Sequence, residues 1–155
     1  MPEGVEAALR DAAGRVDRYP DPFCRALRDA LAERENVPAG QIVCGNGAAD
    51  LIYRIVWALR PRRALAAAPT FSEYGAALRT AGCTVVSYPL KRENEFRLGA
   101  DFLEFITPET DAVFLCEPNN PTGLTTPRPL LLKILERCRN SGTWLIADEC
   151  FNDFL

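Results

Sequence analysis

Four short stretches of this sequence combine residue types that bind ligands or move protons. The first is Gly45-Asn46-Gly47-Ala48-Ala49-Asp50. Its glycines permit a tight backbone, and a helix starting there presents unpaired N–H groups at the positive end of its dipole. That is chemistry for an anion, most naturally a phosphate, although Gly-Asn-Gly is also an ordinary loop sequence. The Lys-Ser/Thr pair of a Walker loop and the third glycine of the dinucleotide fingerprint are both missing. Asp148 follows the apolar run Trp144-Leu145-Ile146-Ala147, so its carboxylate is partly desolvated and needs a partner. A protonated heteroaromatic nitrogen, a metal or an arginine would serve; a solvent-exposed capping role is the plainer alternative. Asn120, within Asn119-Asn120-Pro121-Thr122-Gly123, offers an amide donor that could hold a phenolate oxygen, or it is simply good turn chemistry before proline. In Pro69-Thr70-Phe71-Ser72-Glu73-Tyr74, both Tyr74 and Phe71 could stack on a flat ring or pack into the core.

What is absent narrows the chemistry further. The 155 residues contain no histidine, which excludes a Ser-His-Asp or Cys-His centre and any zinc site built on imidazole. Of 18 basic residues only Lys91 and Lys133 are lysine. Six cysteines (Cys24, Cys44, Cys83, Cys116, Cys138, Cys150) stand well apart, with no C-x-x-C pair, and read as small buried hydrophobes in a reducing compartment. A formal charge of −3 gives no support for a nucleic-acid partner or an anionic membrane surface. No apolar run approaches the roughly 20 residues of a membrane helix, and no signal peptide is apparent, so a cytoplasmic location is expected.

The elements that must position these residues alternate between helical and extended patterns, the signature of an α/β domain with a mainly parallel sheet. Val5, Ala8, Leu9 and Ala12 repeat at helical spacing before Gly14; Asp21 is expected to cap a second helix with Pro22 at its first position, running towards Asn36. Extended runs are expected at 41–44, 64–68, 84–88, 112–116 and 143–147. Helices are expected through Leu51 to Leu59, over 72–81, over 128–139 and, briefly, over 101–105. The four chemical stretches each follow an apolar run, and in an open parallel sheet the carboxyl ends of the strands are where ligands bind. One crevice could gather all four.

Together these stretches, with Tyr19-Pro20-Asp21-Pro22, resemble the fold-type-I pyridoxal-phosphate enzymes, specifically the class I/II aminotransferases, in order and approximate spacing over nearly the whole chain. The resemblance implies a three-layer α/β/α fold, with residues 1–35 as an N-terminal helical segment on the small-domain and dimer-contact side and 36–155 as the first part of the cofactor-binding large domain. It implies pyridoxal 5'-phosphate as cofactor, with Asp148 paired to the pyridine nitrogen, Asn120 bonded to the ring oxygen, Tyr74 stacked on the ring, and the backbone N–H groups of Ala48 and Ala49 holding the phosphate. Tyr19 looks like the family tyrosine that reaches the phosphate of a neighbouring subunit, which implies a homodimer.

Tyr-Pro-Asp-Pro and Asn-Gly-Ala-Ala-Asp-Leu-Ile are similar to the histidinol-phosphate aminotransferase branch. The ending Asp148-Glu149-Cys150-Phe151-Asn152-Asp153-Phe154, with phenylalanine where many aminotransferases carry tyrosine, is closer to the threonine-phosphate decarboxylase branch of cobalamin biosynthesis. Either implies a phosphorylated amino substrate. The lysine that anchors the cofactor in this family lies well downstream of the Asp148 position, and neither Lys91 nor Lys133 stands in such a setting. The chain therefore resembles an N-terminal fragment, expected to be inactive alone. A nucleotide-binding module using the glycine turn and a non-catalytic interaction protein are the competing classes.

Overall fold

The computed structural model describes residues 2–154, and they form two compact units that divide between Cys44 and Gly45. The first holds α1 (Val5–Ala13), α2 (Arg25–Glu35) and a 3-10 turn at Ala39–Gln41. Gly14 ends α1 as its position suggests. The helix expected to begin at Pro22 begins later, at Arg25, because the Asp21 carboxylate closes a turn ahead of it: it accepts from Phe23 N at 3.1 Å and Arg25 N at 2.9 Å. Asn36 closes α2 in the left-handed conformation its short polar side chain tolerates. The extended run expected at 41–44 forms no strand; the neighbouring Gln41 and Ile42 N–H groups turn back on Pro38 and Ala39 instead.

The second unit runs α3 (Ala48–Leu59), β1 (Arg63–Ala68), α4 (Ser72–Thr80), β2 (Thr84–Pro89), a 3-10 segment at Ala100–Phe105, β3 (Ala112–Cys116), α5 (Arg128–Ser141) and β4 (Trp144–Asp148). The four strands are parallel, in the order β2-β1-β3-β4. Alternation along the strands splits the core into two. On one face Ala64, Ala66, Ala112 and Phe114 pack against Ile52 and Val56 of α3 and Ala77 and Leu78 of α4. On the other, Leu65, Val113 and Leu115 meet Ile134 and Cys138 of α5 and Phe102 and Ile106. Helices thus cover both faces, the three-layer arrangement that the sequence implies. β3 is buried along its whole length, which is why it reads as an unbroken apolar run. All six cysteines are free; Cys83, Cys116 and Cys138 are buried as expected, whereas Cys150 is exposed. No helix among the described residues is long and apolar enough to cross a membrane.

Candidate active site

Because β1, β3 and β4 are parallel neighbours, their carboxyl ends emerge side by side. β1 delivers Pro69, Thr70 and Phe71 and then α4. β3 delivers Glu117 and the asparagine loop, and β4 ends on Asp148.

Asp148 is half-buried, and both carboxylate oxygens are oriented. Oδ1 accepts from Cys150 N at 3.1 Å, and Oδ2 accepts from the Tyr74 hydroxyl at 2.7 Å. Tyr74 is fully buried. Its ring lies 5.3 Å from that of Phe114, tilted by 32°, and 5.6 Å from that of Phe71, nearly perpendicular. Burial, reinforced by hydrogen bonds to Cys116 and Asp148, pushes the phenol far above its ordinary range, so the group is a neutral donor. This placement corrects the stacking role expected of Tyr74: a ring with no exposed face cannot lie on a ligand. Phe71, half-buried at the head of α4, is the aromatic of the pair that retains accessible surface.

The two asparagines divide their tasks. Asn119 is structural: its Oδ1 accepts from Thr70 Oγ1 at 2.7 Å, and its Nδ2 donates to Pro69 O at 3.2 Å and Thr122 Oγ1 at 3.0 Å, tying the end of β3 to that of β1. The Asn120 side-chain amide makes no hydrogen bond among the described residues; only its backbone N–H is engaged, donating to Cys116 Sγ at 3.4 Å.

Glu117 is the residue that sequence reasoning missed. It is buried, and its carboxylate accepts from the N–H of Thr126 at 2.8 Å and from the Thr126 hydroxyl, closing the loop that carries Asn120. Its own N–H donates to Asp148 O at 2.8 Å. The signal was available: an acid directly following the apolar run Ala112–Cys116 must find donors nearby.

At the glycine turn, Gly47 adopts φ +86°, a region that favours glycine. A Cβ on Gly45 would meet Leu51 Cδ2 at 2.7 Å and Asp50 Oδ2 at 2.8 Å. The Asp50 carboxylate folds back onto Asn46 N and Arg54 Nε, both at 2.9 Å, and these two donors hold its carboxyl below the usual value. No side chain caps α3, so the first turn, with Ala48 and Ala49, faces outward with open N–H groups.

Tyr19 belongs to the first unit, where it is fully exposed. Lys91, beyond β2, and Lys133, on α5, are also exposed. The second unit therefore offers an oriented carboxylate at the end of β4, a free amide on the loop after β3 and an uncapped helix start at α3, which no strand precedes.

These features define a class: α/β proteins that bind a small ligand where parallel strands end. Within that class, the chain belongs to the aminotransferase class I and II family, which it matches over residues 1–155. A threonine-phosphate decarboxylase of Salmonella typhimurium is 43% identical over 155 residues, covering 100% of this chain and 43% of that protein. A histidinol-phosphate aminotransferase of Desulfitobacterium hafniense is 34% identical over 160 residues, covering 99% of this chain and 44% of that protein. The crystal structure of L-threonine-O-3-phosphate decarboxylase from Porphyromonas gingivalis superimposes with a TM-score of 0.78 at 29% identity, covering 96% of this chain and 44% of that one. The chain thus spans less than half the length of the relatives it matches.

Proposed function

We propose that this chain holds pyridoxal 5'-phosphate in an enzyme that decarboxylates a phosphorylated amino acid, in the manner of threonine-phosphate decarboxylase. The observation that carries the reading is Asp148, a carboxyl acceptor fixed at a strand end by Tyr74 and Cys150. The unengaged groups of the second unit fit the cofactor's chemistry. Asp148 retains acceptor capacity for a protonated ring nitrogen, the free Asn120 amide suits the ring oxygen, and the open N–H groups of Ala48 and Ala49 suit the phosphate. When bound, the pyridinium ring supplies an electron sink for the substrate's reacting carbon. The chain's part is to keep the ring nitrogen protonated through Asp148, hold the ring oxygen with Asn120, and cover a ring face with Phe71.

Phe151 has no hydroxyl to share the oxygen with Asn120, which throws that task on the amide. Tyr19 reaches the phosphate of a partner subunit in a homodimer, and the protein works in the cytoplasm. The identity of 43% to the decarboxylase, against 34% to the aminotransferase, favours decarboxylation. Transamination of histidinol phosphate is the second reading, supported by Tyr19-Pro20-Asp21-Pro22 and by the aminotransferase relatives.

Cofactor binding is tested with pyridoxamine 5'-phosphate, which carries the ring and phosphate but no aldehyde to react with Lys91 or Lys133. Calorimetry should show binding that Asp148→Ala weakens by at least about tenfold. Undiminished binding to that variant refutes the assignment. In the full-length protein, carbon dioxide released from O-phosphothreonine favours the first reading, and amino transfer from histidinol phosphate to a 2-oxo acid favours the second.

A further inference from the structure

Tyr74 is buried without exposure, yet its one polar atom lies on the residue that the proposed function depends on most. The side chain leaves the first turn of α4, packs over Phe114 of β3, and ends on Asp148 at the tip of β4. Donor and acceptor are separated by 74 residues. A buried hydroxyl needs a partner, and a carboxylate gains direction from one, because its terminal torsion is otherwise broad and two-fold. With Oδ2 held by Tyr74 and Oδ1 by Cys150 N, rotation is blocked at both oxygens. Behind the pair stands Cys116, whose thiol donates to Pro118 O at 3.3 Å and accepts from Asn120 N at 3.4 Å.

We propose that Tyr74 is a positioning residue. Its hydroxyl aims the Asp148 carboxylate at the ring nitrogen. The inference rests on the cofactor reading above. Without the hydroxyl the carboxylate loses the fixed direction on which a short charged hydrogen bond depends. Asp148 is half-buried, so water can replace the missing donor, but water does not restore the direction.

The test compares pyridoxamine 5'-phosphate with its analogue carrying carbon in place of the ring nitrogen, titrated by calorimetry against the wild-type chain and Tyr74→Phe. The wild type binds the nitrogen compound more tightly. In Tyr74→Phe that preference falls about tenfold, or about 1.4 kcal/mol, while affinity for the carbon analogue changes less than about twofold. An unchanged preference overturns the proposal, and so does equal weakening of both ligands, which marks Tyr74 as core packing alone. A wild-type chain that treats both ligands alike refutes the Asp148 contact itself, and the inference falls with it. A second measurement needs no variant: the sealed Tyr74 hydroxyl proton gives an NMR signal that moves when pyridoxamine 5'-phosphate is added and not when the carbon analogue is added. A signal indifferent to both overturns the proposal.

Discussion

Glu117→Ala is the substitution whose outcome the structure fixes most firmly. The carboxylate is the acceptor for two Thr126 donors, its N–H and its hydroxyl, in a setting where Glu117 and Thr126 are each 9% exposed. Alanine leaves both donors buried and unpaired, at about 1–3 kcal/mol each, so the loss is about 2–6 kcal/mol. That is a large part of the roughly 5–15 kcal/mol that holds a domain together. Thr126→Val keeps the shape and the N–H bond and removes one donor to the Glu117 carboxylate, costing about 1.5–3 kcal/mol. Glu117→Gln keeps one oxygen for the N–H and turns its amide to the hydroxyl, which can rotate to accept; the cost is below about 1.5 kcal/mol. The assay is urea unfolding followed through Trp57 and Trp144, both in the second unit. With a slope of about 2 kcal/mol/M, the alanine midpoint falls by about 1–3 M, and the order of loss is alanine, then Thr126→Val, then glutamine. An alanine midpoint within about 0.2 M of wild type, or glutamine as the worst of the three, refutes the reasoning.

Three further outcomes follow from the site. Gly47→Ala forces a residue with a Cβ into a region of positive φ and extended ψ that only glycine enters freely; about 1–3 kcal/mol of stability is lost, and pyridoxamine 5'-phosphate affinity falls with the displaced start of α3, as thermal melts and calorimetry would show. Asp148 beside Cys150, with burial, holds that exposed thiol up to about 11. Iodoacetamide at pH 8, read by peptide mass mapping, should therefore label Cys150 slowly, and Asp148→Asn should speed it on the order of tenfold. Asp50 carries a lowered carboxyl pKa from Asn46 N–H and Arg54, so its contribution is complete above its unfolded value near 4 and is withdrawn as the pH falls through the lower folded value. Asp50→Asn should flatten the acid limb of the stability profile below pH 4 and leave the slope above pH 5 unchanged, measured by urea midpoints across that range.

Much of this arrangement is legible in the residues because the strand ends carry unusual polar types against apolar runs. The burial of β3 on both faces follows from Ala112–Cys116 having no polar residue, and the bounds of α3, α4 and β2 follow from periodicity and breakers. What was not legible depended on contacts distant in sequence. Tyr74 reads equally as a stacking ring or a core ring until β3 is laid beneath it and β4 beyond it. Asn119 and Asn120 are chemically identical neighbours, and only the approach of Thr70 and Pro69 assigns one to structure and leaves the other free. Asp21 has the chemistry of a cap, but it spends that chemistry on the turn before α2 rather than on a helix starting at Pro22.

Glu117 has one last consequence. Its carboxylate closes the loop that carries Asn120 by accepting from Thr126, and its own N–H donates to Asp148 O at 2.8 Å. The amide and the carboxylate of the site therefore hang from a single buried residue. A local opening that parts Glu117 from Thr126 would loosen both at once, and amide exchange at Thr126 would be the clock that reads it.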